Sequence, residues 1–329
     1  MKVGDWNIRG LNAKIKQQNA LAMFRQNNLD ILGLLETRVR TRSFNNVFVG
    51  VFGLFSVSII MRIIQMGIWV LWNKSNMKVQ LIDAHSQWIH LLVAKDGCSP
   101  FVLTFVYAFN VSQARIPLWD FLRGISTPLP WLVVGDFNCV RSTTERISSS
   151  PPDLHPMLAF NDALYAVGLD DIATHGCRLT WTNKQDDCDR KWMRLDRAVT
   201  NATWHSSFPA YVDALPVGVS DHSPIVVTLC APDSPRPKPF RFLNCWAQDS
   251  AFLPMVTEAW AEDVRGCPMF CLISCLKALK VKFKLLHKST YSGISDRIAD
   301  LKRKLTDCQI SLQSRPLCQA LLDEERDLC

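Results

Sequence analysis

Residues 131–140 read WLVVGDFNCV. Trp131 to Val134 form a run of β-favouring apolar residues, one glycine follows, and then come Asp136, Phe137 and Asn138. A short apolar run bounded by turn residues predicts a buried strand. In extended backbone alternate side chains share a face. Asp136 and Asn138 are therefore expected to point the same way where the strand surfaces. Taken alone, Asp-Phe-Asn also reads as a turn, because Asp and Asn favour turns. The other apolar runs of the chain decide between these readings.

LDILGLLE, GIWVLWN, WIHLLVA, FVLTFVYAF and PIVVTL read as further strands. They are short, β-branched and bounded by turn residues. Ala13 to Asn27, Pro117 to Leu122 and Pro156 to Val167 carry helical spacing. Many buried strands mixed with helices predict a layered α/β architecture. Strands that follow closely between Trp69 and Phe109 favour antiparallel neighbours there, so the sheets are expected to be mixed. Val47 to Trp72 is rich in Phe, Val, Ile and Met, but Arg62, Gln65 and glycines interrupt it. A membrane span needs about 20 nearly uncharged residues, so this stretch is read as two or three buried strands, and no membrane partner is expected. Near Pro232 the character changes: APDSPRPKPF packs four prolines into ten residues. The expected organisation is an α/β domain over 1–230, a Pro-rich linker over 231–240 and helices over 241–329, including Cys271 to Leu286 and Ser295 to Leu312.

The strand ends carry polar groups. VGDWN delivers Asn7, LDILGLLE ends on Glu36, VLTFVYAFN delivers Tyr107 and Asn110, RLDR carries Asp196, and GVSDHSP opens with Asp221 and His222. Singly, each has an ordinary structural explanation as a cap, turn or surface partner. Together with Asp136 and Asn138 they form a set, and ligands and catalysts gather at strand ends in α/β sheets. Hard oxygen donors such as Glu36, the Asn7 amide and Asp221 suit Mg²⁺. Asp136 is placed to orient or deprotonate a water. His222 beside a carboxylate is expected to stay protonated. An imidazolium and amides near a cation match the charge of a phosphoryl transition state. No Cys/His cluster of zinc spacing competes.

WNIRGLN, LLETR, VYAFN, GDFN, RLDR and SDHSP, in this order, resemble the endonuclease/exonuclease/phosphatase superfamily over about residues 1–230. The resemblance implies a four-layer sandwich: two mixed β-sheets packed face to face, helices outside, and here an α-helical C-terminal extension. LWNKSNMKVQL, RIPLWDFL, LTWTN and LDRAVTNATW are most similar to the endonuclease domain of plant LINE-type (non-LTR) retrotransposon ORF2 proteins. The tail resembles the connector before a reverse transcriptase, which implies that domain as a partner in a longer polyprotein. The implied activity is Mg²⁺-dependent DNA nicking, with Mn²⁺ as the alternative ion, leaving a 3′-hydroxyl. The implied roles are cation binding by Glu36, Asn7 and Asp221 and water alignment by Asp136. Asn138 would bind a phosphate oxygen, Asp196-oriented His222 would stabilise the transition state, and Tyr107 and Asn110 would contact phosphate or leaving oxygen. Arg9 stands where apurinic/apyrimidinic endonucleases carry an acid. Asp5 is an unexpected charge in a strand that should be buried, at a cost of several kcal/mol if unpaired.

Bulk numbers agree with an intracellular, nuclear or cytoplasmic, DNA-binding protein. The 329 residues carry 48% hydrophobic side chains, a net charge of +7 and twelve cysteines without a CxxC pair. That cysteine usage predicts reduced thiols, and the N-terminus has no apolar core of signal-peptide type. Leu276 to Lys304 holds nine basic and two acidic residues, a composition that suits a polyanion or a solvated helix face equally. Arg141, Arg146, Lys184, Arg190, Lys191 and Arg194 lie close to site motifs and are candidate DNA contacts. Trp181 and Trp192 are candidate aromatic platforms, although core packing is the plainer reading for Trp181. Two other functions stay open. One is a phosphatase of the same superfamily, which predicts a basic pocket not visible beside GDFN or SDH. The other is a decayed retroelement copy without activity.

Overall fold

The computed structural model describes residues 1–52, 57–62, 67–73, 75, 77–185, 189–229, 242, 244–261, 268–315 and 318–328. The Pro-rich linker expected over 231–240 lies outside these residues. The chain divides into two compact units: Met1–Pro232 with Thr306–Cys329, and Asp233–Leu305.

The first unit holds two mixed sheets. The strands are β1 (Lys2–Asn7), β2 (Ile31–Leu35), β3 (Val57–Arg62), β4 (Ile68–Asn73), β5 (Met77–His85), β6 (Trp88–Lys95), β7 (Cys98–Tyr107), β8 (Trp131–Asp136), β9 (Arg146–Ile147), β10 (Asp170–Asp171), β11 (Thr174–Gly176), β12 (Trp181–Thr182), β13 (Trp192–Met193), β14 (Asp196–Thr200), β15 (Ala210–Ala214) and β16 (Ile225–Leu229). One sheet runs β11-β15-β16-β1-β2-β4-β3 and the other β10-β14-β8-β7-β6-β5. The pairs β1–β2 and β7–β8 are parallel, whereas β14–β8 and β1–β16 are antiparallel. A small sheet, β12-β13-β9, completes the set.

Strand alternation sorts the side chains into layers. Val3, Ile31, Val70, Leu91, Phe105, Leu132, Val134 and Val227 fill the core between the sheets. Helices α1 (Lys14–Gln26) and α2 (Phe44–Phe52) cover the outer face of the first sheet, where Ala20, Met23 and Val47 meet Trp6, Leu32, Leu34 and Trp69. Helices α3 (Ile116–Gly124) and α4 (Leu154–Ala166) cover the other, where Trp119 and Phe160 pack on Val133 and Phe137. The order is helix, sheet, sheet, helix, as the resemblance implied. A short helix, α5 (Ala202–Ser207), links β14 to β15.

One stretch differs from expectation. Val47 to Phe52 is not a strand but the second half of α2, and only Val57–Arg62 and Ile68–Asn73 are strands, paired antiparallel from Val57 opposite Asn73 to Arg62 opposite Ile68. Both halves are apolar, and a short apolar run does not distinguish helix from strand by periodicity. Residues 53–56 and 63–66 of the same stretch lie outside the described residues.

Helices α6 (Phe252–Ala261), α7 (Pro268–Leu286), α8 (Ser292–Ser314) and α9 (Gln319–Leu328) follow. In the second unit Trp246, Ala259, Leu279, Phe283 and Leu286 share a core. Within the first unit, Cys308, Leu312 and Leu322 pack against Leu179 and Trp192. Arg190 forms a buried ion pair with Glu325 at 2.6 Å, and Gln309 donates to the same carboxylate at 3.0 Å. Among the described residues no helix is long and apolar enough to cross a membrane.

Candidate active site

The site lies where the inward faces of β1 and β8 run out of apolar residues. Along β8, Leu132 and Val134 face the core between the sheets, and Asp136 continues that face with no exposed surface. Along β1, Val3 takes the same face, followed by Asp5 and then Asn7, both fully buried. The chain then turns. Asn138 has φ +46°, so it does not continue the strand face. Its backbone N–H donates to Asp136 Oδ1 at 2.8 Å and its amide to Asp136 Oδ2 at 3.3 Å. The turn reading and the site reading of GDFN are therefore the same feature, an Asx turn that folds Asn138 back over Asp136. Arg115, buried, holds this turn by donating to the Asn138 carbonyl at 2.6 Å. Sequence reading missed Arg115, whose one clue was its place before the α3 pattern.

Asn7 joins two acids from different strands. Its amide donates to Glu36 Oε1 at 3.2 Å and to Asp136 Oδ2 at 3.0 Å. Glu36 follows β2 in left-handed backbone, φ +49°, with 2% of its surface exposed. Burial pushes its carboxyl up, but hydrogen bonds from Asn7 and Arg38 and the charges of Arg9 and Arg38 outweigh burial and hold it below its ordinary value. Tyr107, buried at the end of β7, hydrogen-bonds Glu36; burial first, and then that carboxylate, raise its hydroxyl pKa.

His222 sits between two carboxylates. Its Nδ1 is 3.0 Å from Asp196 Oδ2, and its Nε2 is 3.7 Å from Asp136 Oδ2. Asp196 opens β14 directly opposite Asp136. Thr180, which sequence reading also missed, accepts from the Leu195 and Asp196 backbone N–H groups at 3.0 and 2.9 Å. Burial lowers the His222 pKa, but Asp196 and Asp136 outweigh it and hold the imidazole protonated, up to about 9. Burial raises the Asp136 carboxyl above its usual range, with His222 opposing and Asp196 reinforcing. Ligand atoms of Asp136, Asp196 and His222 lie within 4.8 Å of one another.

Asp221 lies at the rim. Its Oδ2 accepts from Trp181 Nε1 at 3.0 Å and from Arg9 Nη1 at 2.7 Å. Arg9 Nε also lies 3.6 Å from Glu36 Oε1, and Arg38 pairs with the same carboxylate. Lys16 donates to the carbonyls of Ile8 and Arg9 at 2.7 and 2.8 Å, and Lys184 to the Gly218 carbonyl at 3.1 Å. Arg9, Lys16, Arg38 and Lys184 thus form a basic rim that adjacency along the chain did not reveal. The expectation of no basic cluster near the site is corrected: the cluster assembles from four separate segments.

Other expected contacts are placed differently. Asn110 is exposed beyond β7. Trp181 is half-buried, with its ring 6.4 Å from that of His222. Trp192 is buried in the core under the C-terminal helices and offers no platform. Arg141 donates to Asp170 and Asp171, both at 2.7 Å, and Arg194 to Glu145 and Asp171. With buried Arg197 they form a closed ion-pair network, so their charge is answered within the fold. A cavity of about 150 Å³ beside Asn138 is lined by Arg115, Arg146, Met157, Met193 and Leu195.

Two donor sets fit a cation. Asp136, Asp196 and His222 are close enough for one ion, but His222 Nδ1 is already spent on Asp196. Glu36, Asp221 and the Asn7 amide oxygen supply only hard oxygens, the preference of Mg²⁺. The Arg9 guanidinium now bridges Glu36 and Asp221, and the Asn7 amide oxygen accepts from the Arg9 backbone N–H at 3.2 Å.

Acid, imidazole and amide side chains thus meet at the end of a two-sheet sandwich. The profile of the Endonuclease/Exonuclease/phosphatase family matches residues 6–222, and the chain belongs to that family. A comparison with curated proteins finds no match. Among solved structures, a 3′ phosphatase from Neisseria bound to a product DNA hairpin is similar at 17% identity and TM-score 0.53, covering 70% of this chain and 100% of that one. An AP endonuclease from Archaeoglobus fulgidus is similar at 15% identity and TM-score 0.52, with the same coverage. An AP endonuclease from Leishmania major is similar at 17% and 0.53, covering 70% of this chain and 88% of that one. At these identities the likeness shows the fold.

Proposed function

We propose that the chain is a Mg²⁺-dependent phosphodiesterase that nicks DNA and leaves a 3′-hydroxyl, as in retrotransposon target-site cleavage. The observation that carries this reading is His222 held between Asp196 and Asp136 while Asn7 ties Asp136 to Glu36. Asp136 orients the attacking water and accepts its proton. Attack on phosphorus is in line with the leaving 3′-oxygen; the P–O3′ bond breaks, the 3′-oxygen takes up a proton from solvent to become the 3′-hydroxyl, and the phosphate stays on the 5′ end. The His222 imidazolium and the Asn138 amide donate to the non-bridging oxygens, where charge builds up. Asp196 orients the His222 ring and helps hold it protonated. Glu36, Asp221 and Asn7 would hold the cation, which supplies positive charge beside the reacting phosphate. Tyr107 and Asn110 remain candidate contacts to phosphate or leaving oxygen, and Trp181 to a base. Arg141 and Arg194 are not carried forward as DNA contacts. The LINE-type motifs make a reverse transcriptase domain the proposed partner.

The phosphatase reading is favoured by one observation, the basic rim of Arg9, Lys16, Arg38 and Lys184. One set of assays separates the two: nicking of supercoiled plasmid with Mg²⁺ and with EDTA, beside phosphate release from a 3′-phosphorylated oligonucleotide and from an inositol phosphate. The expected outcome is Mg²⁺-dependent nicking, lowered by two or more orders of magnitude in Asp136→Ala and His222→Ala. Nicking that persists in both variants would remove these residues from the mechanism. Phosphate release without nicking would establish the phosphatase.

A further inference from the structure

We propose that Arg9 is a phosphate-binding residue whose guanidinium leaves Glu36 and Asp221 for a DNA phosphate oxygen when a divalent cation takes those carboxylates. This rests on the reading of Glu36 and Asp221 as cation ligands.

Arg9 bridges acids that are far apart along the chain. Its Nη1 lies 2.7 Å from Asp221 Oδ2 and its Nε 3.6 Å from Glu36 Oε1. Among the described residues the Nε makes no hydrogen bond, so the tie to Glu36 is the looser of the two. Lys16 pins the Arg9 carbonyl at 2.8 Å, and the residue occupies left-handed backbone at φ +47°. The backbone is held while the side chain, 35% exposed, has solvent to swing into. Glu36 is 2% exposed and has no comparable freedom.

Charge balance makes the exchange reciprocal. Two carboxylates, Glu36 and Asp221, face two guanidinium groups, Arg9 and Arg38. Adding a divalent cation leaves this group of residues with two excess positive charges, and a phosphodiester is the anion the reaction brings. A guanidinium does not deprotonate and matches carboxylate and phosphate with the same fork. Arg9 displaced from the acids is therefore a phosphate donor at the mouth of the site. By linkage, DNA that engages Arg9 strengthens cation binding, and the cation strengthens DNA binding by the same factor.

Calorimetric titration with Ca²⁺, with and without a short DNA duplex, tests the exchange on wild type, Arg9→Ala, Arg9→Gln and Glu36→Gln, each checked for folding by circular dichroism. Without DNA, both Arg9 variants are expected to bind Ca²⁺ about tenfold more tightly than wild type, the scale of one charged contact. The factor by which the duplex improves Ca²⁺ affinity is expected to shrink by about tenfold in both. A general loss of positive charge would tighten Ca²⁺ binding but leave that factor intact, and that result overturns the proposal. Unchanged Ca²⁺ affinity in both Arg9 variants overturns it too. If Glu36→Gln abolishes Ca²⁺ binding in that case, Glu36 remains a ligand and only the exchange falls. Ca²⁺ binding unaffected by Glu36→Gln removes the cation site and the exchange together. Arg9→Gln, nearly isosteric, carries the test if Arg9→Ala fails to fold.

Discussion

Asp5 and Asp196 lie in one protein with opposite consequences. Asp196 is buried but answered: His222 Nδ1 lies 3.2 and 3.0 Å from its two carboxylate oxygens, and its own backbone N–H donates to Thr180 Oγ1 at 2.9 Å. Asp196→Asn keeps the shape and removes the charge that holds His222 protonated. On the proposed mechanism the alkaline limb of activity follows that proton, held up to about 9 by Asp196 and Asp136, and in the variant it is expected to move toward the ordinary histidine range of about 6.5. A pH–rate profile reads the shift, with the rate at neutral pH falling by roughly two orders of magnitude. Asp5, by contrast, is fully buried, and neither carboxylate oxygen has a hydrogen-bond partner among the described residues. Burial first, then Asp196 and Asp136, raises its pKa well above the ordinary value. A carboxyl whose pKa is raised on folding binds more protons in the native state, so its contribution to stability falls as pH rises above the unfolded value of about 3.9. Asp5→Ser is therefore expected to stabilise the fold by about 1–3 kcal/mol at neutral pH, with a smaller gain near pH 4. Urea denaturation at both pH values measures it; a gap that stays constant or narrows toward neutral pH would contradict the assignment. Asp136, Glu36 and His222 were visible as polar groups at strand ends, and Asp5 as a charge inside a strand that should be buried. Arg9 was visible only as a departure from the related motif; its pairing with Glu36 and Asp221 was not, because both acids come from other segments and no local pattern marks a long-range ion pair.

At the scale of elements, the apolar strands were readable because buried strands repeat β-branched residues between turn signals. Helix α2 was not, because Phe44–Phe52 is as apolar as the strands after it. The joint between β8 and β7 shows what a single residue imposes on an element. Gly135 has φ +146°, and a Cβ there would lie 2.0 Å from the Val106 carbonyl oxygen. Any side chain must push β7 and β8 apart where they carry Tyr107 and Asp136, which lie opposite each other in register. Gly135→Ala is expected to cost more than about 3 kcal/mol, combining overpacking with an unfavourable φ. The loss appears as a lowered urea midpoint. An alanine variant as stable as wild type would mean that β8 can move away from β7 at little cost.

For the whole molecule, the sequence divided naturally at the proline-rich stretch, and the distant C-terminal residues looked like a separate helical extension. Yet Thr306–Cys329 belongs to the same compact unit as Met1–Pro232. Cys308, Leu312 and Leu322 cover Leu179 and Trp192, and these flank the strands that position Thr180 and Trp181. No motif announced this, since packing between segments more than a hundred residues apart depends on surface shape rather than on local pattern. Arg190 and Glu325 are the polar anchor of the contact, at 2.6 Å and both largely buried. Glu325→Ala leaves Arg190 buried beside Trp192 without its carboxylate, and breaking a buried pair in this way costs about 3–5 kcal/mol. Glu325→Gln, which keeps a hydrogen-bond acceptor, is expected to cost less. The loosening should reach the site through β12 and β13: hydrogen exchange at Leu179–Thr182 rises, and turnover falls although no site residue has changed. Exchange that rises only within residues 306–328, with β12 as protected as before, would show that the C-terminal helices cover the hairpin without holding it in place.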